Sequence, residues 1–194
     1  MLLALLNNDY LLVVRADNGS EVARTKWETR FATNGTTPIV SKSDIFVSTG
    51  YDKGCALFRL DAAAGELTST YQNRDMRNHF NNSILWKGHL YGIDGNSHHA
   101  RSCRLVCMEF ASGEVRWSQR GFGCGSVLIA DETLIILSDD GRLVTAEATP
   151  QAYREISSAQ VLSGRCWTVP TLANNRFYCR NAAGDLVALE AKPQ

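Results

Sequence analysis

Short apolar runs and polar turns alternate along the chain, and their order repeats. In each unit a first apolar run is followed by a polar turn, a second apolar run, another turn near a Gly, and a third run that ends at an acidic residue. Both the end of the first run and the start of the second recur about every 44 residues over four copies, which indicates an internal repeat. The first runs end at Val40, Leu85, Leu128 and Leu172, and the second runs begin at Ile45, Leu90, Leu134 and Phe177.

The composition of the runs predicts β-strands. Each run is short and rich in Val, Ile, Leu, Phe and Tyr. The turns at 52–54 and 94–96 contain Asp, Asn and Gly, which tolerate the positive φ of tight hairpins. A fourth short run follows a Gly-Glu pair at 65–66 and again at 113–114. Four antiparallel strands per unit at this period predict an all-β fold made of β-propeller blades.

Two other structural interpretations are weaker. A two-sheet sandwich is also all-β, but it would not keep a regular period near 44 residues. No segment has a convincing helical period, and the best candidate is one or two helical turns over residues 150–155.

The blades are not all complete. Residues 1–33 supply the second, third and fourth strands of a blade, the ranges 36–79, 80–122 and 123–164 are whole blades, and 165–194 supplies three strands. Closed propellers have typically 4–8 blades. We therefore expect an incomplete, open propeller that is the C-terminal part of a longer protein. Its missing N-terminal blades would be one partner, and its open edges would favour self-association.

Composition and charge exclude several classes of function. Apolar residues make up 44% of the 194 residues, enough for a folded core. Lys and Arg number 20, as do Asp and Glu, so there is no basic excess to predict binding to nucleic acid or an anionic membrane. The apolar start at 1–6 is too short for a signal peptide or a membrane span, so we expect no export signal within the chain itself.

The repeat resembles the pyrroloquinoline-quinone-like (PQQ-like) propeller repeat family. In that family an acidic residue, a Gly and a Trp of the fourth strand recur in each blade. Trp27 and Trp117 match that Trp, and Tyr71 lies near its place in another unit. The segment 73–80 is similar to bacterial PQQ-like proteins of unassigned function. The segments that carry the repeat are 60–66, 108–117 and 180–187.

The resemblance implies two kinds of function. Quinoprotein dehydrogenases of the family hold PQQ and Ca²⁺ at the propeller axis and have a vicinal Cys pair, which this chain lacks. Other members, among them an outer-membrane assembly lipoprotein, bind proteins and have no chemistry. We therefore expect a non-catalytic scaffold for protein or ligand binding, without a cofactor. The alternative is a fragment of a PQQ- and calcium-dependent dehydrogenase. The resemblance also implies export, to the periplasm.

The candidate site lies in the loops that lead into the innermost strands, which meet at the mouth of a propeller's central channel. Polar and aromatic side chains are concentrated there and suit an anionic or polar ligand. The alternative is that they cap strand ends and bond to loop backbone. The candidates for ligand binding are Arg77, Asn78, His79, Asn81, Arg165 and Trp167. No catalytic residue is predicted, because no nucleophile, base and carboxylate form a recognisable set.

The cysteines and histidines suggest a metal site only weakly. Cys103 and Cys107 lie four residues apart on one predicted strand, roughly 13 Å between Cα atoms, too far to share a zinc ion with His98 and His99. Cys55 is placed at the same blade position as Cys103, and both are predicted to fill the core. Cys124 and Cys166 lie near one place in adjacent blades, and a disulfide between them needs Cα atoms within about 7 Å.

Overall fold

The computed structural model describes residues 1–191, and these form five antiparallel sheets in sequence order. Every strand pairs only with its neighbours in sequence, and no strand is shared between sheets. The all-β propeller fold predicted from the repeat is therefore confirmed. The last three residues of the predicted unit 165–194 lie outside the described residues. No helix within 1–191 is long and apolar enough to cross a membrane.

The first and last sheets have three strands each, and the three between them have four. The first sheet consists of β1 (Leu2–Leu6), β2 (Tyr10–Arg15) and β3 (Glu21–Lys26). The second consists of β4 (Ile39–Ser41), β5 (Asp44–Thr49), β6 (Gly54–Asp61) and β7 (Glu66–Asn73). The third consists of β8 (Ile84–Trp86), β9 (His89–Asp94), β10 (Arg104–Glu109) and β11 (Val115–Arg120). The fourth consists of β12 (Ser126–Ala130), β13 (Thr133–Leu137), β14 (Arg142–Glu147) and β15 (Glu155–Gln160), and the fifth of β16 (Thr171–Ala173), β17 (Arg176–Arg180) and β18 (Leu186–Glu190).

The core lies between the sheets, in one apolar cluster per junction. In β5 the side chains of Ile45 and Val47 pack towards the first sheet, and that of Phe46 packs towards the third. Alternate side chains of a strand point to opposite faces, so a strand buried on both faces is apolar at successive positions. This explains why β5, β9 and β13 are almost entirely buried, whereas β15 is exposed throughout.

A β-bulge recurs in the first four sheets, at the pairing between the last two strands of each sheet. The pairing shifts at Val13/Val14, Leu57/Phe58, Cys107/Met108 and Thr145/Ala146. At each shift, one residue of the outer strand pairs with the first of the two residues named. These outer-strand residues are Ala23, Tyr71, Trp117 and Ser157, respectively. One extra residue on the outer strand bends it and increases its twist. Because the bulge recurs at one place in each of these sheets, its position shows which residues of different sheets are equivalent, whatever the lengths of the loops.

This alignment corrects two equivalences drawn from the sequence. Trp117 is equivalent to Tyr71, as expected, but its counterpart in the first sheet is Ala23, so Trp27 does not match it. Cys55 pairs with Ser48 on β5 and precedes the bulge by two residues, whereas Cys103 lies before β10 begins, so the two cysteines are not equivalent.

The predicted helical turns at 150–155 are absent. The loop that contains these residues joins β14 to β15 without a helix, and its Tyr153 ring packs 5.9 Å from Trp117 and 5.8 Å from Phe122. Packing of the Tyr153 ring into the core thus outweighs a weak local preference for helix. A 3₁₀ helix occurs instead at Ser97–Ser102, in the connection between β9 and β10.

Candidate functional site

The loops before the first strands and the turns between second and third strands come together on one side of the molecule, here called the mouth face. Hydrogen bonds connect these loops from one sheet to the next. Thr37 N–H donates to Asn82 Oδ1 (2.9 Å), and Asn81 Nδ2 donates to Gly125 O (2.7 Å). The predicted channel-mouth residues therefore share one continuous surface. The loops are 28–38, 74–83, 121–125 and 161–170, and the connections are 50–53, 95–103, 138–141 and 181–185.

Arg77 is held by carboxylates of two sheets. Its guanidinium donates to both oxygens of Asp94, at 2.8 and 3.0 Å, and to Asp52 Oδ1 at 3.0 Å. Asp94, 1% exposed, also accepts a bond from Arg104 Nε at 3.0 Å. The hydrogen bond to Asp94 raises the pKa of Arg77 above its ordinary value. Arg77 thus joins the turn after β5 to the loop before β8, and its charge is already balanced within the protein.

Asn78 and Asn81 are buried and bonded to backbone. Asn78 donates to Ile93 O (2.9 Å) and accepts from the Ser83 hydroxyl (2.8 Å), and Asn81 bonds to the next sheet as described above. Their side-chain amides satisfy backbone groups that the loops leave unpaired. Both residues lie beneath the mouth face and hold its loops in place, and neither side-chain amide is exposed to solvent.

His79 is half-buried among aromatic rings. Its ring centroid lies 4.8 Å from Tyr51, 5.2 Å from Phe80 and 6.1 Å from His98. Burial lowers the pKa of His79, and the positive charge of a protonated His98 lowers it further. Ser97 N–H donates to His79 Nδ1 (3.2 Å), which places the proton of the neutral ring on Nε2.

The His79 ring belongs to a row of aromatic side chains that crosses the mouth face, here called the aromatic strip. Phe31 lies 4.8 Å from Tyr51 at one end, and Phe80 lies 4.8 Å from Trp167 at the other. Phe31 is 57% exposed and Trp167 38% exposed. The guanidinium of Arg165 lies 4.5 Å from the centroid of the Trp167 ring. The strip consists of Phe31, Tyr51, His79, Phe80 and Trp167.

Of the residues predicted from the sequence, the structure therefore brings His79, Trp167 and Arg165 to one surface. Phe31, Tyr51 and Phe80 were missed. Phe80 and Trp167 hold the same place before the third and the fifth sheet, relative to the strands that follow them, as judged by pairing with β9 and β17. An aromatic residue recurring just before a first strand is the signal that could have identified Phe80.

The cysteines do not form the disulfide that the sequence left open. All six are free, and Cys124 lies beside Cys103 in the cluster between the third and fourth sheets, whereas Cys166 packs with Cys179 in the next cluster. Hydrogen bonding between the two neighbouring thiols raises the pKa of Cys124 and lowers that of Cys103. A Cys124–Cys166 disulfide is therefore not formed in this structure, because the two thiols lie at different junctions.

Within the described residues 1–191, the side chains of the mouth face can be compared with the needs of a site for calcium and a quinone. Both oxygens of the buried Asp94 carboxylate are bonded to arginine, so the carboxylate is paired with positive charge. Among residues 1–191, no three His, Cys, Asp or Glu side chains are grouped so that they could hold a metal ion. The donor groups of the described residues thus do not fit a metal-bound cofactor.

Comparison with protein families gives one match that extends over nearly the whole chain. The profile described as outer membrane protein assembly factor BamB matches residues 7–192. No curated protein matches the chain.

Solved structures with a similar fold include natural and designed proteins. BamB from Moraxella catarrhalis superposes with a TM-score of 0.66 at 15% identity, covering 95% of this chain and 53% of that chain. The computationally designed protein Ika8 gives 0.68 at 9% identity, covering 94% and 53%, and Ika4 gives 0.63 at 9% identity, covering 90% and 99%. At these identities the likeness shows the fold alone, and the chain spans about half the length of the Moraxella protein.

Proposed function

The chain belongs to the family of the outer membrane protein assembly factor BamB, and we propose that it is a non-catalytic PQQ-like propeller scaffold that binds a protein partner through the aromatic strip. The family description and the expectation of export together suggest that it works in the periplasm. The chain covers only part of a BamB protein, so the proposal concerns the surface that these five sheets build.

The observation that supports the proposal is the exposed row of aromatic rings. Aromatic residues and arginine are the side chains that contribute most to protein–protein binding, especially at the centre of an interface. Phe31 and Trp167 are exposed at the two ends of the strip, and Arg165 lies beside Trp167. This arrangement suits a partner segment with apolar side chains and an acidic residue that meets Arg165.

The rigidity of the surface favours binding as well. Buried hydrogen bonds from Asn78 and Asn81, together with the Arg77–Asp94 pair, hold the loops under the strip. A surface ordered before binding loses less conformational entropy on association. We therefore assign supporting roles to Arg77, Asn78 and Asn81, and contact roles to Trp167, Arg165 and His79.

The test is site-specific photocrosslinking in the full-length protein, produced in its own cells. A photoreactive phenylalanine at Phe31 or Trp167 is expected to give a discrete crosslinked product, and Trp167→Ala is expected to weaken the product formed at position 31. The matched control is Thr68, which is exposed on β7, the outer strand of a four-stranded sheet. Equal products at all three positions, or none at positions 31 and 167, would contradict the proposal.

No feature of the described residues favours the dehydrogenase, and we propose that this chain needs neither PQQ nor calcium. Adding both to the protein is expected to leave its absorbance spectrum and its thermal midpoint unchanged. A saturable rise of the thermal midpoint would instead support the quinoprotein alternative.

A further inference from the structure

The junction between the fourth and fifth sheets contains a groove of about 830 Å³. Residues of β13, β14 and β15 line one side, and residues of β16 and β17 and the end of β18 line the other. The apolar part of the lining includes Ile156 and Leu172, which are 39% and 36% exposed. The groove thus exposes apolar surface at a place where sheets normally pack closely.

The two preceding junctions are filled at this place by an aromatic ring. Tyr71 of the second sheet donates its hydroxyl to Phe110 O (3.1 Å), and Trp117 of the third sheet donates Nε1–H to Thr149 O (2.8 Å). Both residues stand opposite the β-bulge of their own sheet, and both reach the loop that follows the third strand of the next sheet. In each case the ring fills the junction and its polar tip bonds to backbone.

The equivalent residue of the fourth sheet is Ser157, which is too small to fill the junction. It stands opposite the bulge at Thr145, and the two hydroxyl oxygens lie 2.8 Å apart at the floor of the groove. Replacing a ring by a hydroxymethyl group removes most of the apolar volume that closes the two preceding junctions. The groove therefore has the position and the lining of a site for an aromatic side chain.

The backbone carbonyl that accepts the hydrogen bond of such a ring is also present at this junction. In the third and fourth sheets the residue after the third strand donates its N–H to the turn between the first and second strands, from Phe110 to Gly88 O and from Ala148 to Glu132 O, at 2.9 and 2.8 Å. Ala191 makes the same bond to Asn175 O at 2.8 Å. Ala191 lines the groove, so it holds the place that Phe110 holds when its carbonyl accepts the Tyr71 hydroxyl.

The rim of the groove is acidic. Asp131 lies on one side and Glu190 on the other, with Arg176 4.0 Å from Glu190 as the neighbouring cation. Two carboxylates at the rim favour a ligand that carries positive charge next to its ring.

From these observations we propose that the groove binds the Trp or Tyr side chain of a peptide segment that has a Lys or Arg beside it. The bound ring takes the place that Tyr71 and Trp117 occupy in the preceding junctions, and its donor bonds to the carbonyl oxygen of Ala191. The groove lies apart from the mouth face and shares no residue with the aromatic strip, so this site is additional to the proposed function.

The probe is a blocked Lys-Trp-Lys tripeptide, titrated into the full chain while backbone amide shifts are followed by NMR. We expect saturable shifts at Thr145, Ser157 and Leu172, and no such shifts with a Lys-Ala-Lys peptide. Equal shifts with both peptides, or no shifts with either at millimolar concentration, would overturn the proposal.

Two substitutions test the site itself. Ser157→Trp is expected to fill the groove, raise the thermal midpoint and weaken binding of the tripeptide by about tenfold or more. The control Ser158→Trp puts the same ring on the opposite face of β15, where Ser158 pairs with Val144, and should leave binding unchanged. Undiminished binding to Ser157→Trp would refute the proposal.

If Ser157→Trp does not fold, Leu172→Lys serves in its place. Leu172 is exposed, so the change is compatible with folding, and its charge should repel the basic tripeptide and weaken binding. Unchanged affinity would again refute the site. Trp167→Ala should leave this binding intact, so the outcome is independent of the photocrosslinking result.

Discussion

At the scale of single residues, Asp94 is the position where we expect a substitution to reduce stability most. Its carboxylate is almost fully buried and accepts bonds from Arg77 and Arg104. Removing one partner of a buried ion pair leaves the other charges without compensation, which is costlier than losing an exposed pair.

Asp94→Ala is therefore expected to lower the free energy of unfolding by about 3–5 kcal/mol, as measured by urea denaturation. Asp44→Ala is the matched control, since Asp44 also accepts two bonds from one arginine, Arg59, but at the surface. The free energy of unfolding should fall much less in Asp44→Ala than in Asp94→Ala. Equal losses in the two variants would show that burial of Asp94 is not what matters.

His79 should make stability depend on pH. Its pKa is lowered from the ordinary value of 6.5 in the folded protein, so the unfolded chain binds more protons in this range and stability falls as the pH falls. Protonation of Nδ1 also breaks the bond from Ser97 N–H.

His79→Gln is expected to reduce this loss, because Gln retains an acceptor and cannot take up the proton. Thermal midpoints of both proteins, measured from neutral pH down through the His range, give the comparison. Parallel curves would assign the pH dependence to other groups.

Residue types could be predicted from the sequence better than their partners could. Arg77 was identified as a candidate for ligand binding, but its two carboxylates lie 17 and 25 residues away in sequence. Asn78 and Asn81 were correctly located in a loop, while their burial depends on backbone groups of other strands. Such contacts depend on how the sheets pack, which a local pattern does not contain.

At the scale of strands and sheets, the period near 44 residues was enough to predict the order of strands. The β-bulge was not predictable, because a single extra residue in an outer strand leaves no mark in the apolar pattern. That is why Trp27 was aligned with Trp117 although the pairing places Ala23 there.

Trp117 should contribute to stability in two separable ways. Trp117→Phe keeps most of the packing and loses the bond to Thr149 O, for an expected cost of about 1 kcal/mol. Trp117→Ala also loses the packing, for about 3 kcal/mol or more. Arg116→Ala, at the adjacent bulge position, is the control and should have little effect. Urea denaturation distinguishes the three, and similar losses for Phe and Ala would contradict a packing role.

At the scale of the whole molecule, the apolar core of each sheet packs against the sheets that neighbour it in sequence. The apolar clusters lie at successive junctions, and the outer strands contribute least to them. Stability in such arrays is a sum of sheet terms and nearest-neighbour terms.

The rate of hydrogen exchange should be lowest in the buried second strands and highest in the exposed outer strand. We expect amides of β15 to exchange first, since its residues are all exposed, and those of β9 and β13 to exchange last. Exchange measured by mass spectrometry on peptides from these strands gives the order. Uniform protection across each sheet would mean that the sheets open only by global unfolding.

The residue opposite the bulge has a consequence for how such chains diversify. After the second and third sheets a Tyr or Trp there closes the junction, and after the fourth a Ser leaves it open, while the backbone bonds around these junctions stay the same. A duplicated array can therefore gain or lose a recess by a change in one codon, with no insertion and no change of fold. Mutation during evolution, or protein engineering, can open or close one such junction without changing the others.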